Sequence, residues 1–237
     1  LNPNVELDPI PETLNSTNAK EILRDVDVVL DGLDRPSPRY VMNKTCNELK
    51  IPYIFGAAIE AFGNVSTIIP GQSACLECFM PGLQDNDLLK CGVVGVHPSI
   101  LSIVAAVQVS EAIKLLLDKE PKLRNKLLYM DLRELSFNTI ELAPSENCSV
   151  CGTKSKEKLR PPEDKFFEET CARDGRRNFI ITPKSKIEIN LEQLRKILAE
   201  KNFSIKTAGS MGITFKQSDD LSISILKSGI LIAQTSP

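Results

Sequence analysis

The chain has 237 residues, 42% hydrophobic and 25% charged, a globular composition able to bury one sizeable core or two smaller ones. Its formal net charge is −2 and it holds no dense Lys/Arg block, so the electrostatic footprint of a nucleic-acid-binding surface is not expected. The longest apolar helical stretch, residues 100–117, is interrupted by Ser102, Gln108, Ser110, Glu111 and Lys114, which argues against a membrane span; Leu1-Asn2-Pro3-Asn4 likewise shows no signal-peptide pattern.

Apolar periodicity predicts a short strand at 5–7 and a helix over 17–24 capped by Thr17. A buried strand follows at 26–30 and runs into Asp31-Gly32-Leu33-Asp34. A parallel strand ending on carboxylates delivers them to the C-terminal edge of its sheet, where α/β sheets bind ligands. Residues 38–50 read as a helix with Tyr40, Met42, Cys46 and Leu49 inward, closed by Ile51-Pro52. A strand at 53–57 comes next, and Gly63-Asn64 between apolar runs predicts a hairpin turn into 65–69. Residues 95–119 hold the longest helical pattern, with Ile100, Val104, Val107, Ile113 and Leu117 among its apolar positions, and read as a buried helix. Alternation over 127–142 gives two strands. The stretch 154–178 is charged and contains Pro161-Pro162, so it reads as a linker with a helical turn at Phe166-Phe167. From Phe179 the pattern gives two strands, a helix over 191–201 and three short strands ending near Ala233. The expected division is a domain over 1–152, a linker over 153–178 and a small α+β domain over 179–237.

Seven cysteines include two pairs at C-x-x-C spacing, Cys75/Cys78 and Cys148/Cys151, in a chain with no secretory pattern. Such usage points to a reducing compartment, the cytoplasm, and to metal binding rather than disulfides. Each pair supplies half of a tetrahedral thiolate shell, so together they predict one Zn²⁺, and four protein ligands leave no open position, which makes that zinc structural. The alternative is four separately buried or reactive thiols. A redox pair is disfavoured because neither C-x-x-C opens a helix directly after a strand. Cys46 falls inside a predicted helix as a core residue. Cys171 lies in the predicted linker near Arg173, Arg176 and Arg177, and Cys91 stands alone between Lys90 and Gly92. His97, the only histidine, precedes Pro98 where it shapes the start of the long helix.

Asp31-Gly32-Leu33-Asp34-Arg35, followed by Arg39-Tyr40 and Asn43, resembles the D-x-x-D-N segment, with its later R-Y and N, of the ubiquitin-activating-like adenylyltransferases of the MoeB/ThiF/HesA type. Residues 51–57 and Gly63-Asn64-Val65 are similar to that family's next strand and hairpin. Cys75-Leu76-Glu77-Cys78-Phe79, Cys91-Gly92-Val93-Val94-Gly95-Val96 and Glu111-Ala112-Ile113-Lys114-Leu115-Leu116 resemble its zinc knuckle, catalytic-cysteine loop and long helix, in the family's order over about residues 1–152. The resemblance implies an α/β fold, the second part of a Rossmann-like domain with structural zinc, followed here by the small C-terminal α+β domain. It implies ATP-dependent adenylylation of the C-terminal glycine of a small ubiquitin-like, β-grasp partner ending in Gly-Gly, with ATP and Mg²⁺ as cofactors and a homodimeric assembly. The family's Gly-rich phosphate loop and ribose-binding acid belong to a first half not matched here, so the chain is expected to be part of a longer protein and inactive alone.

By this match Asp34 is the metal-binding acid, Asp31 its neighbouring support, Arg39 and Asn43 further residues of the nucleotide site, and Cys91 the sulfur nucleophile, giving a thioester or, after persulfide formation, a sulfur-transfer intermediate. Alternatives stand: Asp31 or Asp34 capping the turn that follows it, Cys91 as an unreactive loop cysteine, and Cys171 as a second candidate nucleophile. Arg35 departs from the family's asparagine and leaves open a second function, a non-catalytic zinc-stapled binding module or the inactive half of an activating enzyme. At the C-terminal end, Leu191, Leu194 and Leu198 share one helix face, and analogy alone suggests a ubiquitin-like fold there.

Overall fold

The computed structural model describes residues 2–83, 85, 95–154, 166–171, 176–185 and 187–235. The chain divides into two compact units, Leu14–Glu163 and a second made of Leu1–Thr13 with Asp164–Pro237.

The first unit is built on a five-stranded sheet: β1 (Val29–Leu30), β2 (Tyr53–Ile59), β3 (Phe62–Ile68), β4 (Lys126–Asp131) and β5 (Ser136–Glu141), in that spatial order. β1 and β2 are parallel, linked through helix α2 (Pro36–Leu49), and the remaining pairs are antiparallel. Side chains alternate across a strand, and β2 uses both faces. Tyr53 and Phe55 enter a core with Leu23, Met42, Cys46, Ile68, Cys75, Leu76 and Cys148, on the side of α1 (Ala19–Leu23), α2 and the short α3 (Leu76–Phe79). Ile54 enters the opposite core with Val65, Met130 and Leu123, against Ile100, Val104 and Ala112 of the long helix α4 (Pro98–Leu116). Burial on both faces explains why β2 reads as an uninterrupted apolar run.

Several local expectations change. Residues 5–7 form no strand; Val5 and Leu7 are 56% and 82% exposed, and a strand without a neighbour leaves its backbone groups unpaired. Thr17 does not cap α1. Asn15 Oδ1 instead accepts from the backbone N–H groups of Thr17 and Asn18, and the helix begins at Ala19. The hairpin turn lies at Glu60-Ala61, with Glu60 at φ 50°, while Gly63 and Asn64 sit inside β3 opposite Ala58 and Ala57. Gly63 has a different use: a Cβ there would stand 2.8 Å from both Ile100 Cδ1 and Val104 Cγ2, so glycine lets α4 approach the sheet.

α4 is long and apolar enough to cross a membrane by length and composition alone, yet one face of it lies on β2 and β3. Its inward positions are Ile100, Val104, Gln108, Glu111 and Ala112, whereas Ile113 and Leu117, expected inside, are at least half exposed. The expectation of a wholly buried helix is replaced by a one-faced one.

The second unit carries a six-stranded sheet of β6 (Phe167–Cys171), β7 (Arg177–Ile181), β8 (Ser204–Ala208), β9 (Gly212–Lys216), β10 (Leu221–Leu226) and β11 (Leu231–Thr235), ordered β6-β7-β11-β10-β9-β8. Phe167 thus starts a strand rather than a helical turn, because Phe167–Cys171 pairs in register with Arg177–Ile181. After helix α5 (Leu191–Glu200) come four strands, not three. Leu191, Leu194 and Leu198 pack on Ile213 and Phe215 as their spacing predicts, and Asn190 Oδ1 caps the helix by accepting from Gln193 N at 3.0 Å. Among the described residues, the strand pairings of this sheet are antiparallel.

Candidate functional site

Two clusters of polar or reactive side chains flank α2. The first lies at the C-terminal edge of β1. Asp31 is buried and its carboxylate is saturated: Oδ2 accepts from Arg39 Nε at 3.0 Å and Tyr53 Oη at 2.6 Å, and Oδ1 accepts from Leu33 N at 2.8 Å. Arg39 is turned inward as well. Its Nη2 donates to Gly56 O at 2.9 Å and to Leu33 O, and its guanidinium lies 5.5 Å from the Phe55 ring centroid. From the opposite face, Gln108 Nε2 donates to Asp31 O at 3.0 Å and Ile54 O at 2.9 Å. Gln108 occupies the notch at Gly56, where a Cβ would come within 2.5 Å of its amide. Burial and the adjacent Asp31 carboxylate push the Tyr53 hydroxyl well above the usual phenol range, so it stays a donor.

Asp34 differs from Asp31 in every respect. Its side chain is 84% exposed, and its contact with Arg35 Nε is a loose 3.7 Å. α2 begins just after it with Pro36 at the first helical position, and Ser37 N donates to Asp85 Oδ1 at 2.9 Å. The edge therefore carries the solvent-facing Asp34 carboxylate beside a buried, internally satisfied frame. Cys91 and Lys90 lie outside the described residues. His97 Nδ1 accepts from Ser99 N at 3.2 Å, a helix-start role.

The second cluster is sulfur. The thiols of Cys75, Cys78, Cys148 and Cys151 all lie within 4.8 Å of one another, with Sγ–Sγ distances of 3.9 Å for 75–78, 3.6 Å for 75–148 and 3.4 Å for 78–151. Four sulfurs about 2.3 Å from one tetrahedral Zn²⁺ are about 3.8 Å apart, so the donor set fits that ion. The knuckle turns are closed by Cys78 N to Cys75 O at 2.9 Å and Gly152 N to Cys148 O at 2.9 Å. A Cβ at Gly152 would meet Cys148 O at 2.4 Å, so glycine is required there. The sulfurs share their protons unevenly. Hydrogen bonding to Cys78 holds the Cys75 thiol well above its ordinary value, while the bond from Cys75 brings Cys78 down to about 4, helped by Ser145 N. Burial pushes Cys151 up to about 12. Metal binding requires cysteine ligands as thiolates, so ion uptake by such a set releases protons.

The two clusters are joined by helix α2. Asn43, expected at the nucleotide site, instead faces the first knuckle, its Oδ1 accepting from Leu76 N at 3.0 Å. Asn47, which sequence reasoning missed, donates from Nδ2 to Val150 O at 3.1 Å in the second knuckle. Cys46, between them in sequence, is 1% exposed, and burial raises its thiol to about 12, in keeping with a core role. Cys171 ends β6. Also missed was Gln108, legible only as a polar residue in phase with Ile100 and Val104 on an apolar helix.

The first unit is an α/β domain with helices on both faces of its sheet, a carboxylate-bearing sheet edge and four cysteines placed to hold a metal ion. The placement is specific: residues 1–150 match the ThiF family, and the chain belongs to that family. Over 176 residues it is 32% identical to the SAMP-activating enzyme E1 of Haloferax volcanii, covering 73% of this chain and 63% of that protein. Over 157 residues it is 31% identical to the adenylyltransferase and sulfurtransferase MOCS3 of Drosophila virilis, covering 65% of this chain and 35% of the relative. The chain thus spans about a third to two thirds of the length of these relatives. A crystal structure of E. coli MccB with MccA-N7isoASN shares the fold, with TM-score 0.50, 20% identity, and coverage of 58% of this chain and 44% of that one.

Proposed function

We propose that the protein to which this chain belongs adenylylates the C-terminal glycine of a small ubiquitin-like or sulfur-carrier partner ending in Gly-Gly. The observation that carries the reading is the exposed Asp34 carboxylate at the end of β1, in a ThiF-family chain whose relatives are named as activating enzymes and adenylyltransferases. In this reaction a carboxylate oxygen attacks the α-phosphate of ATP and pyrophosphate leaves, and Mg²⁺ supplies charge neutralisation on the phosphates. Asp34 is the side chain that would hold that ion, being both charged and solvent-facing. Asp31 and Arg39 do not fit as ligands, since their polar atoms are turned into the frame; their task is to fix the edge beneath Asp34. Cys91 is the proposed acceptor in a following step, its thiolate forming a C–S bond as the acyl–phosphate oxygen bond breaks and AMP leaves. Zn²⁺ is the proposed occupant of the cysteine cluster, in a structural role. A homodimer is proposed on the family resemblance, with the half-exposed Leu101, Val109 and Ile113 of α4 as apolar surface consistent with it.

Arg35 favours one second reading. Its guanidinium reaches toward Asp34 where the family carries an asparagine, and a competing cation there suits a non-catalytic binding module. Pyrophosphate exchange by the whole protein with its Gly-Gly partner separates the two. Exchange that Asp34→Ala lowers by at least about 100-fold is expected. Exchange unchanged in that variant removes Asp34 from the mechanism, and no exchange in the wild type selects the binding module.

A further inference from the structure

The Asn43 amide is left with an unanswered N–H. The residue is 1% exposed, Oδ1 accepts from Leu76 N at 3.0 Å, and Nδ2 has no hydrogen-bond partner among the described residues. Its orientation is not arbitrary, because the backbone N–H of Leu76 requires an oxygen opposite it. Buried amide donors in folded proteins are almost always paired, so a lone one marks a missing acceptor.

Among the described residues no sulfur is within hydrogen-bond reach of Nδ2, and the backbone that its Oδ1 holds belongs to the first knuckle. Leu76 directly follows Cys75, which places the amide on the first knuckle, and Cys75 is itself 1% exposed. Four residues along α2, on the same helix face, Asn47 holds Val150, the residue before Cys151. One helix face thus sets one asparagine on each knuckle. Sulfur ligands change character when a metal binds: each thiol loses its proton to solvent and becomes a thiolate, which accepts N–H bonds.

We propose that Asn43 and Asn47 are positioning residues of the metal centre, with Asn43 Nδ2 donating to the Cys75 thiolate once metal is bound and Asn47 fixing the second knuckle through Val150. Asn43 then uses both ends of its amide, oxygen on the knuckle backbone and nitrogen on the sulfur. The inference rests on the four cysteines binding a metal, as read above.

The test uses the whole chain, ¹⁵N-labelled and loaded with ¹¹³Cd²⁺. The Asn43 side-chain amide is expected to shift on loading and to show a scalar coupling to ¹¹³Cd through the N–H···S bond. Asn43→Asp keeps an oxygen for Leu76 N but replaces the donor by an acceptor, and chelator is expected to strip its metal about 10–100-fold faster than from wild type. Asn47→Ala should lie in the same range. Loaded wild-type protein without the Asn43 response, or an Asn43→Asp or Asn47→Ala protein that folds and loses metal at the wild-type rate, overturns the proposal. Should either variant fail to fold, the wild-type amide response decides alone. Wild-type protein that takes up no Cd²⁺ overturns the metal centre itself.

Discussion

The sheet edge and the cysteine cluster are held by one face of α2, through Arg39 at the edge and Asn43 and Asn47 at the knuckles, and they treat polarity in opposite ways. At the edge, Asp31, Arg39, Tyr53 and Gln108 satisfy one another with side chains and backbone carbonyls, so the frame is complete before any ligand arrives. In the cluster, four thiols converge within 4.8 Å of one another, a donor set placed to hold a cation. The edge is an internally bonded support beside the solvent-facing Asp34. The cluster is read as a brace that a metal ion completes, as proposed above.

The strongest way to break that contrast is to remove the metal. Cys75→Ser or Cys148→Ser, or a strong chelator, should unfold the first unit, because structural zinc contributes about 10 kcal/mol or more in small metal-dependent domains. Metal analysis with a thermal melt checks it: equal melting temperatures with and without bound metal would show that the cluster is a packing feature only. The second unit has its own core around Leu198, Ile213 and Phe215, so its transition should persist.

Next in size is the edge frame. Arg39→Leu leaves the Asp31 carboxylate buried with its charge uncompensated and should cost about 3–5 kcal/mol. Asp34→Ala, three residues along but exposed, should change stability by about 0.5 kcal/mol or less. Denaturant unfolding of the two variants measures the difference directly. Similar losses in both would mean that the buried frame and the exposed acid are not separate in function.

The contrast also explains what could be read in advance. The cysteine cluster was legible because ligand spacing in sequence is nearly the chemistry itself, and two C-x-x-C pairs admit few other uses. Asp31 and Asp34 were both visible as carboxylates ending a strand, but not their opposite fates. Which one turns inward depends on Arg39 and Tyr53, brought to it from a helix turn and a neighbouring strand. Gly63-Asn64 misled for a related reason: glycine marks a turn locally, and only the packed α4 shows that it marks a close approach instead. The apolar run of α4 likewise concealed which face was inner. Its hydrophobic positions lie on both sides, and the residues that identify the buried face are the polar pair Gln108 and Glu111.

Glu111 offers the most discriminating of these tests. It is 2% exposed, and its carboxylate accepts from Lys114 Nζ, Thr67 Oγ1, Leu123 N and Lys122 N. Burial alone would raise its pKa, but these four donors outweigh it and hold the group below the ordinary carboxylate value. A carboxyl depressed in the folded state stabilises fully above its unfolded value of about 4.3, and that contribution is lost as pH falls through the folded value. Glu111→Gln should therefore cost about 1–3 kcal/mol near neutral pH and flatten the acid limb of stability below about pH 4.3. Unfolding free energies from pH 7 down to 3 check both parts. A variant that loses stability with the wild-type acid limb intact would show that the group matters through its shape, and that the ionised network between α4, β3 and the segment before β4 is incidental.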